Sequence, residues 1–188
     1  MCRRCGVELE FAQKTCGCRG RLRALSRLRS AVVYEGPIEL AVQRFKYGGW
    51  RRLAGPLALF LAERLVVEGL AAHSVVAVPL HPDRLKQRGF NQADLLAREL
   101  RRRLALVEPQ GRLVRTRATP SQVGHDRLWR LENVRGAFAW QGADLAGRPL
   151  LLVDDVATTG ATLEACADPK STRLNSSHED LSRMPSSA

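Results

Sequence analysis

LLLVDDVATTGATL, residues 150–163, sets four apolar residues ahead of two adjacent aspartates and a Thr/Gly loop. A continuous apolar run of strand length suits a parallel strand buried on both faces. Ligands of an open α/β sheet bind beyond the carboxyl ends of its strands, and this run delivers Asp154 and Asp155 to that edge. Behind them Ala157, Thr158, Thr159, Gly160, Ala161 and Thr162 supply consecutive backbone N–H groups, hydroxyls and a flexible glycine ahead of a helix start. Those are the parts of an anion cradle. Carboxylates repel phosphate, so the aspartates are expected to accept hydrogen bonds from sugar hydroxyls, directly or through a cation. A sugar phosphate satisfies both halves of the motif. Successive strand residues point to opposite faces, so the two acids reach one ligand only if the chain already turns at Asp155. The other reading of the stretch is a buried strand that ends in ordinary turn carboxylates.

A second apolar run, SVVAVPL at 74–80, predicts a partner strand. Arg84, Lys86 and Arg88 follow it within five residues, ahead of Gly89, and are expected to place positive charge in a loop at the same edge. Arginine grips phosphate oxygens bidentately; a solvated basic loop is the alternative. AVVY (31–34) reads as a short strand, residues 37–47 as a helix opened by Pro37, and residues 51–70 as a second helix. Ala93, Leu96, Ala97, Leu100 and Leu104 repeat at helical spacing, so residues 91–107 form an amphipathic helix that Asn91 can cap. RLVRTRA (112–118) and GAFAW (136–140) read as strands, and the polar stretch 119–135 between them as a loop or mobile flap. Strands alternating with helices indicate an α/β domain with a mainly parallel sheet flanked by helices.

Four of the five cysteines stand in the first 18 residues: Cys2, Cys5, Cys16 and Cys18. A CxxC knuckle turns two thiolates toward one point and the CGC pair can complete a tetrahedral zinc site. About twenty residues bury too small a core to fold unaided, so ligation would supply the folding energy of a zinc-ribbon-like module over residues 1–20. Redox cysteines are the competing reading. Cys166 reads as a small buried hydrophobe.

The formal charge is +11. Residues 168–188 hold three groups of each sign, which leaves 27 basic against 16 acidic groups in the first 167 residues. Such a surplus suits a polyanion, either nucleic acid or a phosphorylated small molecule. No run reaches the roughly 18 apolar residues of a membrane span, and MCRRCGVELE has no apolar signal-peptide core. A cytoplasmic protein without membrane insertion is the expectation.

LLLVDDVATTGATL resembles the phosphoribosyl pyrophosphate (PRPP) motif of type I phosphoribosyltransferases, and the order of motifs along the chain extends the likeness. The cysteine cluster, YEGPIELAVQRFKYGG, VPLHPDRLKQRGFNQADLLA, TRATPSQ to RLENVRGAF and LLVDDVATTGAT are similar to the ComF family of competence proteins over residues 2–167. The resemblance implies a type I phosphoribosyltransferase-like domain over 31–167. It implies PRPP with Mg²⁺ at Asp154 and Asp155, the 5′-phosphate in the loop 157–162, and pyrophosphate at Arg84, Lys86 and Arg88. Asp154, Asp155 and Arg88 would be catalytic. Residues 115–134 would form the mobile catalytic loop, with Gln122, Arg127, Arg130 and Asn133 facing the ligand; His125 reads as an exposed loop histidine. Two functions follow from the resemblance. One is transfer of phosphoribosyl to a nitrogen acceptor. The other is a non-catalytic PRPP- or nucleotide-binding adaptor that contacts single-stranded DNA and DNA-uptake proteins. Aromatic residues are only 5% of the chain, which predicts DNA contact mainly through phosphates.

Enzymes of this fold continue past the helix after the PRPP loop, whereas residues 168–188 carry six serines and no hydrophobic period. This tail is expected to be disordered and reads as translated adaptor sequence rather than an evolved terminus.

Overall fold

The computed structural model describes residues 1–8, 16–18, 20, 22–117, 133–143, 145 and 147–168. The tail from residue 169 and the flap residues Gln122, His125, Arg127 and Arg130 lie outside them. Helices α1 (Gly36–Tyr47) and α2 (Ala54–Val67) are joined through a 3₁₀ turn at Arg51–Leu53, and β1 (Ser74–Ala77) follows. Then come α3 (Pro82–Arg88), α4 (Gln92–Leu104), β2 (Gly111–Arg115), β3 (Phe138–Gly142), β4 (Leu150–Val153) and α5 (Ala161–Ala167).

β1 and β4 pair in parallel, Ser74 opposite Leu150 through Ala77 opposite Val153. The period of two sorts their side chains. Val75, Ala77, Leu151 and Val153 join the core of α1, α2 and α4, whereas Val76, Val78, Leu150 and Leu152 join that of β2, β3 and α5. On α2, Ala54, Ala58 and Ala62 are buried one turn apart, and their small side chains let α4 approach closely. Ala93, Leu96, Ala97 and Leu100 form the buried stripe of α4, as the period requires. Asn91 Oδ1 accepts from Ala93 N–H at 3.1 Å while its amide donates to the Val78 carbonyl at 2.9 Å. One side chain thus starts α4 and fixes it to the end of β1.

Three expectations are corrected. Residues 31–34 form no strand: they run irregularly along one wall of a cavity of about 460 Å³, opposite α1, α2 and β4. Strand propensity at Val32 and Val33 needs a cross-strand neighbour to act on, and none pairs there. Arg84, Lys86 and Arg88 lie on a helix rather than a loop. His81 Nδ1 caps it by accepting from Asp83 N–H at 3.2 Å, Pro82 opens it, and Gly89 closes it in the left-handed conformation at φ 73°. The sheet is not mainly parallel among the described residues. β2 and β3 form an antiparallel ladder one residue pair longer than the parallel one, Gly111 opposite Gly142 through Arg115 opposite Phe138. β4 is also less buried than a central strand, since Leu150, Leu151 and Leu152 face the cavity.

Candidate functional site

The carboxyl end of β4 opens into the acid pair and its loop. Asp154 Oδ1 accepts from Asp155 N–H at 2.8 Å, so the chain is turning at Asp155 as the motif requires. Asp155 Oδ1 pairs with Lys46 Nζ at the end of α1, 3.0 Å away, with both side chains largely shielded. Asp154 lies on the side of Arg115 and Cys166, which both feel its charge. Burial, reinforced by the Asp155 charge, pushes the Asp154 carboxyl up to about 7 against the pull of Lys46 and Arg115. A carboxyl poised at neutrality can change its hydrogen-bonding role when a hydroxyl or a cation arrives. Cys166 is buried beside it with its thiol held well above the ordinary range by burial, consistent with a packing role.

Beyond the acids, Thr159 Oγ1 accepts from Ala161 N–H at 3.3 Å, and Gly160 adopts φ 76°. Gly160 and Ala161 are buried, Ala157, Thr159 and Thr162 are half-buried, and Thr158 is exposed. Two cations act on the acids, Lys46 and Arg115, each pulling against the rise at Asp154, while α3 carries others. Arg88 on α3 bonds Gln92 Oε1 at 3.1 Å and Tyr47 Oη at 3.3 Å, with its guanidinium 4.8 Å over the Tyr47 ring. Burial, and next the charge of half-buried Arg84, lower the affinity of Arg115, at the end of β2, for its proton. Lys86 is exposed on α3. Asn133, at the near end of the expected flap, accepts from Arg117 through its carbonyl at 2.9 Å.

Lys46 and Arg115 escaped the sequence reading. Lys46 belongs to a stretch read as a helix, and Arg115 opens the stretch read as the mobile loop although it is the last residue of β2; neither was given a role, and the partner that reveals it is distant in the chain. Their signal was positional: a cation in the last turn of a helix or at the last residue of a strand, which this topology turns toward the same edge.

The four N-terminal cysteine sulfurs lie within 4.8 Å of one another. Cys2 Sγ stands 3.6 Å from Cys18 Sγ, and Cys5 Sγ 3.5 Å from Cys16 Sγ. Tetrahedral ligation at 2.3 Å separates sulfurs by about 3.8 Å, so the cluster fits a zinc-sized ion. Gly6 follows the CxxC pair at φ 71°, and its N–H donates to the Cys2 carbonyl at 2.9 Å to close the knuckle. Amide donors from Cys5 and Arg4 bring the Cys2 thiol down to about 6, while burial and neighbouring thiols push Cys18 up to about 12. A bound divalent cation would stabilise all four thiolates together.

The molecule is thus a mixed α/β protein with a four-cysteine cluster suited to metal and an acid pair with a Thr/Gly loop at a parallel strand end. Comparison with known proteins assigns the relationship. The chain is 32% identical over 173 residues to DNA utilization protein YhgH of Escherichia coli, covering 89% of this chain and 76% of that one. It is 33% identical over 170 residues to Competence protein F of Haemophilus influenzae, covering 86% and 74%. Competence protein ComFC of Streptococcus pneumoniae is 30% identical over 139 residues, covering 72% and 57%. The chain belongs to the ComF family. No family model matches it, and no solved structure shows significant similarity.

Proposed function

We propose that the edge formed by Asp154, Asp155 and residues 157–162 binds PRPP with Mg²⁺, and that the protein transfers phosphoribosyl to a nitrogen acceptor. One observation carries the reading: a turning acid pair and a Thr/Gly loop at a parallel strand end, with Lys46 paired to Asp155 and with Lys46 and Arg115 acting on Asp154. The chain is then a zinc module over residues 1–20 and a phosphoribosyltransferase-like domain over 31–167. Asp154 and Asp155 accept from the ribose hydroxyls, the loop amides and threonine hydroxyls hold the 5′-phosphate, and the arginines face pyrophosphate. Mg²⁺ would neutralise the phosphate oxygens. As the bond from the anomeric carbon to pyrophosphate breaks, the leaving group takes the electron pair and the sugar becomes cationic. Arg84, Arg88 and Arg115 offset the charge that develops on the leaving group. A nitrogen lone pair closes the new bond and the nitrogen releases a proton. Incubating the protein with PRPP, Mg²⁺ and single nitrogen acceptors, and following pyrophosphate by phosphorus NMR, tests turnover. Acceptor-dependent release that saturates supports transfer, and release at the rate of solution hydrolysis with every acceptor refutes it.

A second reading, an adaptor that contacts single-stranded DNA, is favoured by a surface that shares Arg88 with the first reading. The relatives' names refer to DNA utilization and competence. Tyr47 is 70% and Trp50 46% exposed. Arg88 lies over the first ring, and Arg44 over the second at 4.7 Å. The low aromatic content pointed mainly to phosphate contacts, and the fold exposes these two rings beside exposed Arg51 and Arg52. Stacking contributes roughly 1–3 kcal/mol per base. Replacing Tyr47 and Trp50 by Ala is therefore expected to weaken binding of an oligothymidine about 100-fold in fluorescence anisotropy, with the salt slope unchanged. A loss of salt slope with no loss of affinity at low salt would contradict a stacking role.

A further inference from the structure

The segment joining the cysteine cluster to α1 is held by that cluster at both ends. Leu22 N–H donates to the Cys18 carbonyl at 2.9 Å, and Leu28 N–H to the Arg4 carbonyl at 2.7 Å. The Arg29 guanidinium donates to the carbonyls of Arg3 at 2.9 Å and Arg4 at 3.3 Å, and pairs with Glu68 at 2.9 Å. Packing is close here: a Cβ on Gly6 would stand 3.2 Å from the Leu28 carbonyl oxygen.

Between those ends the segment meets the far end of the chain. Glu164, in the first turn of α5, accepts three successive backbone N–H groups. Its Oε1 takes Arg23 at 2.5 Å and Ala24 at 2.7 Å, and its Oε2 takes Leu25 at 3.1 Å. Such charge-assisted bonds to consecutive amides are about twice as strong as neutral ones. The same segment lies against the Thr/Gly loop. A Cβ on Gly160 would stand 2.8 Å from Leu28 Cδ2 and 3.5 Å from Leu22 Cδ2, so these leucines pack against the loop's left-handed turn.

We infer that Glu164 is a positioning residue that couples the four-cysteine site to the Thr/Gly loop, so that metal occupancy sets the affinity for the sugar phosphate. The last clause rests on the PRPP reading; the coupling does not. A knuckle of this size does not hold its shape without ligation. Its loss frees the carbonyls of Arg3, Arg4 and Cys18 that hold residues 22–29. The three amides then leave Glu164, and Leu28 leaves the loop. Coupling of this kind is reciprocal, so the sugar phosphate tightens the metal by the same factor.

Hydrogen exchange of residues 157–163 and calorimetric Kd for PRPP–Mg²⁺, each with the zinc-loaded and the chelated protein, test the coupling in wild type, Glu164→Ala and Glu164→Gln. In wild type, chelation is expected to speed exchange in the loop and weaken PRPP about tenfold, within the usual range of coupling. Zinc-loaded Glu164→Ala retains its zinc yet already exchanges fast and binds weakly, and chelation adds less than about twofold. Glu164→Gln, which keeps an acceptor for the amides, recovers part of both. Wild-type exchange and affinity in zinc-loaded Glu164→Ala, or unchanged loop exchange on chelating wild type, would overturn the coupling. A wild type that binds no PRPP overturns the sugar-phosphate reading instead, and the exchange measurement still decides the coupling.

Discussion

Substituting Asp154 and Asp155 together by Asn is expected to weaken PRPP–Mg²⁺ binding at least about 100-fold in calorimetry, because each lost charge-assisted hydrogen bond costs about 1.5–3 kcal/mol. Asparagine preserves shape, so the circular dichroism spectrum should not change. The same residues make a separate pH signature. Burial and the Asp155 charge raise the Asp154 carboxyl to about 7. Its unfolded counterpart ionises near 4, so between those values the native state holds a proton that the unfolded chain has lost. Stability from this group is full below pH ~4 and declines as pH rises toward 7. Asp154→Asn removes that decline, and urea midpoints from pH 4.5 to 7.5 should show it as a flatter profile than wild type. Parallel profiles would mean that Asp154 ionises normally in the fold. The ligand acts in the opposite sense: ribose hydroxyls donate best to the carboxylate, so a site that destabilises the free protein at neutral pH is completed by its substrate.

Loss of the four-cysteine site is the second large effect. Metal-replete protein is expected to carry about one equivalent of zinc, and Cys18→Ala less than about 0.2, because three sulfurs and a methyl cannot close a tetrahedral site. Structural zinc in modules of this size contributes about 10–16 kcal/mol of apparent binding free energy, which is folding free energy for the module. The variant should therefore lose amide protection at residues 2–7 and 22–29 while α2 and α4 keep theirs. Those helices draw on a core of Phe45, Ala58, Leu96 and Leu100 that contains no residue of the cysteine knuckle. Elemental analysis with hydrogen exchange reads both quantities. Less than half an equivalent of zinc in wild type would sink the structural-metal assignment.

What could be read in the sequence was what local chemistry decides. β1 and β4 announced themselves as apolar runs, α4 as a stripe from Ala93 to Leu100 behind an Asn91 cap, and the metal cluster as paired cysteine spacings. Failures came where a partner far along the chain decides. Val32 and Val33 have strand chemistry but no ladder to join. α3 carried its own stop and start signals, Pro82 and Gly89, which the basic residues between them overshadowed. β2 and β3 were legible as strands, but their antiparallel pairing was not, since sheet order depends on contacts between segments some 25 residues apart. At the site the acids and loop were legible because they are contiguous. Lys46 and Arg115 were not, since each reaches the acids across a long sequence separation; Glu164, close to the loop in sequence, looks like an ordinary helix carboxylate until residues 23–25 are brought to it. Aromatic content likewise does not tell that Tyr47 and Trp50 are exposed.

A crystal structure of the zinc-loaded protein with PRPP and Mg²⁺ decides whether the end of β4 is a sugar-phosphate site. Ribose hydroxyls are expected within hydrogen-bond distance of Asp154 and Asp155, with the 5′-phosphate against the amides of 157–162 and pyrophosphate facing Arg84 and Arg88. Ligand density elsewhere, or a ligand at this edge that leaves Asp155 paired to Lys46 and touches neither acid, would contradict it.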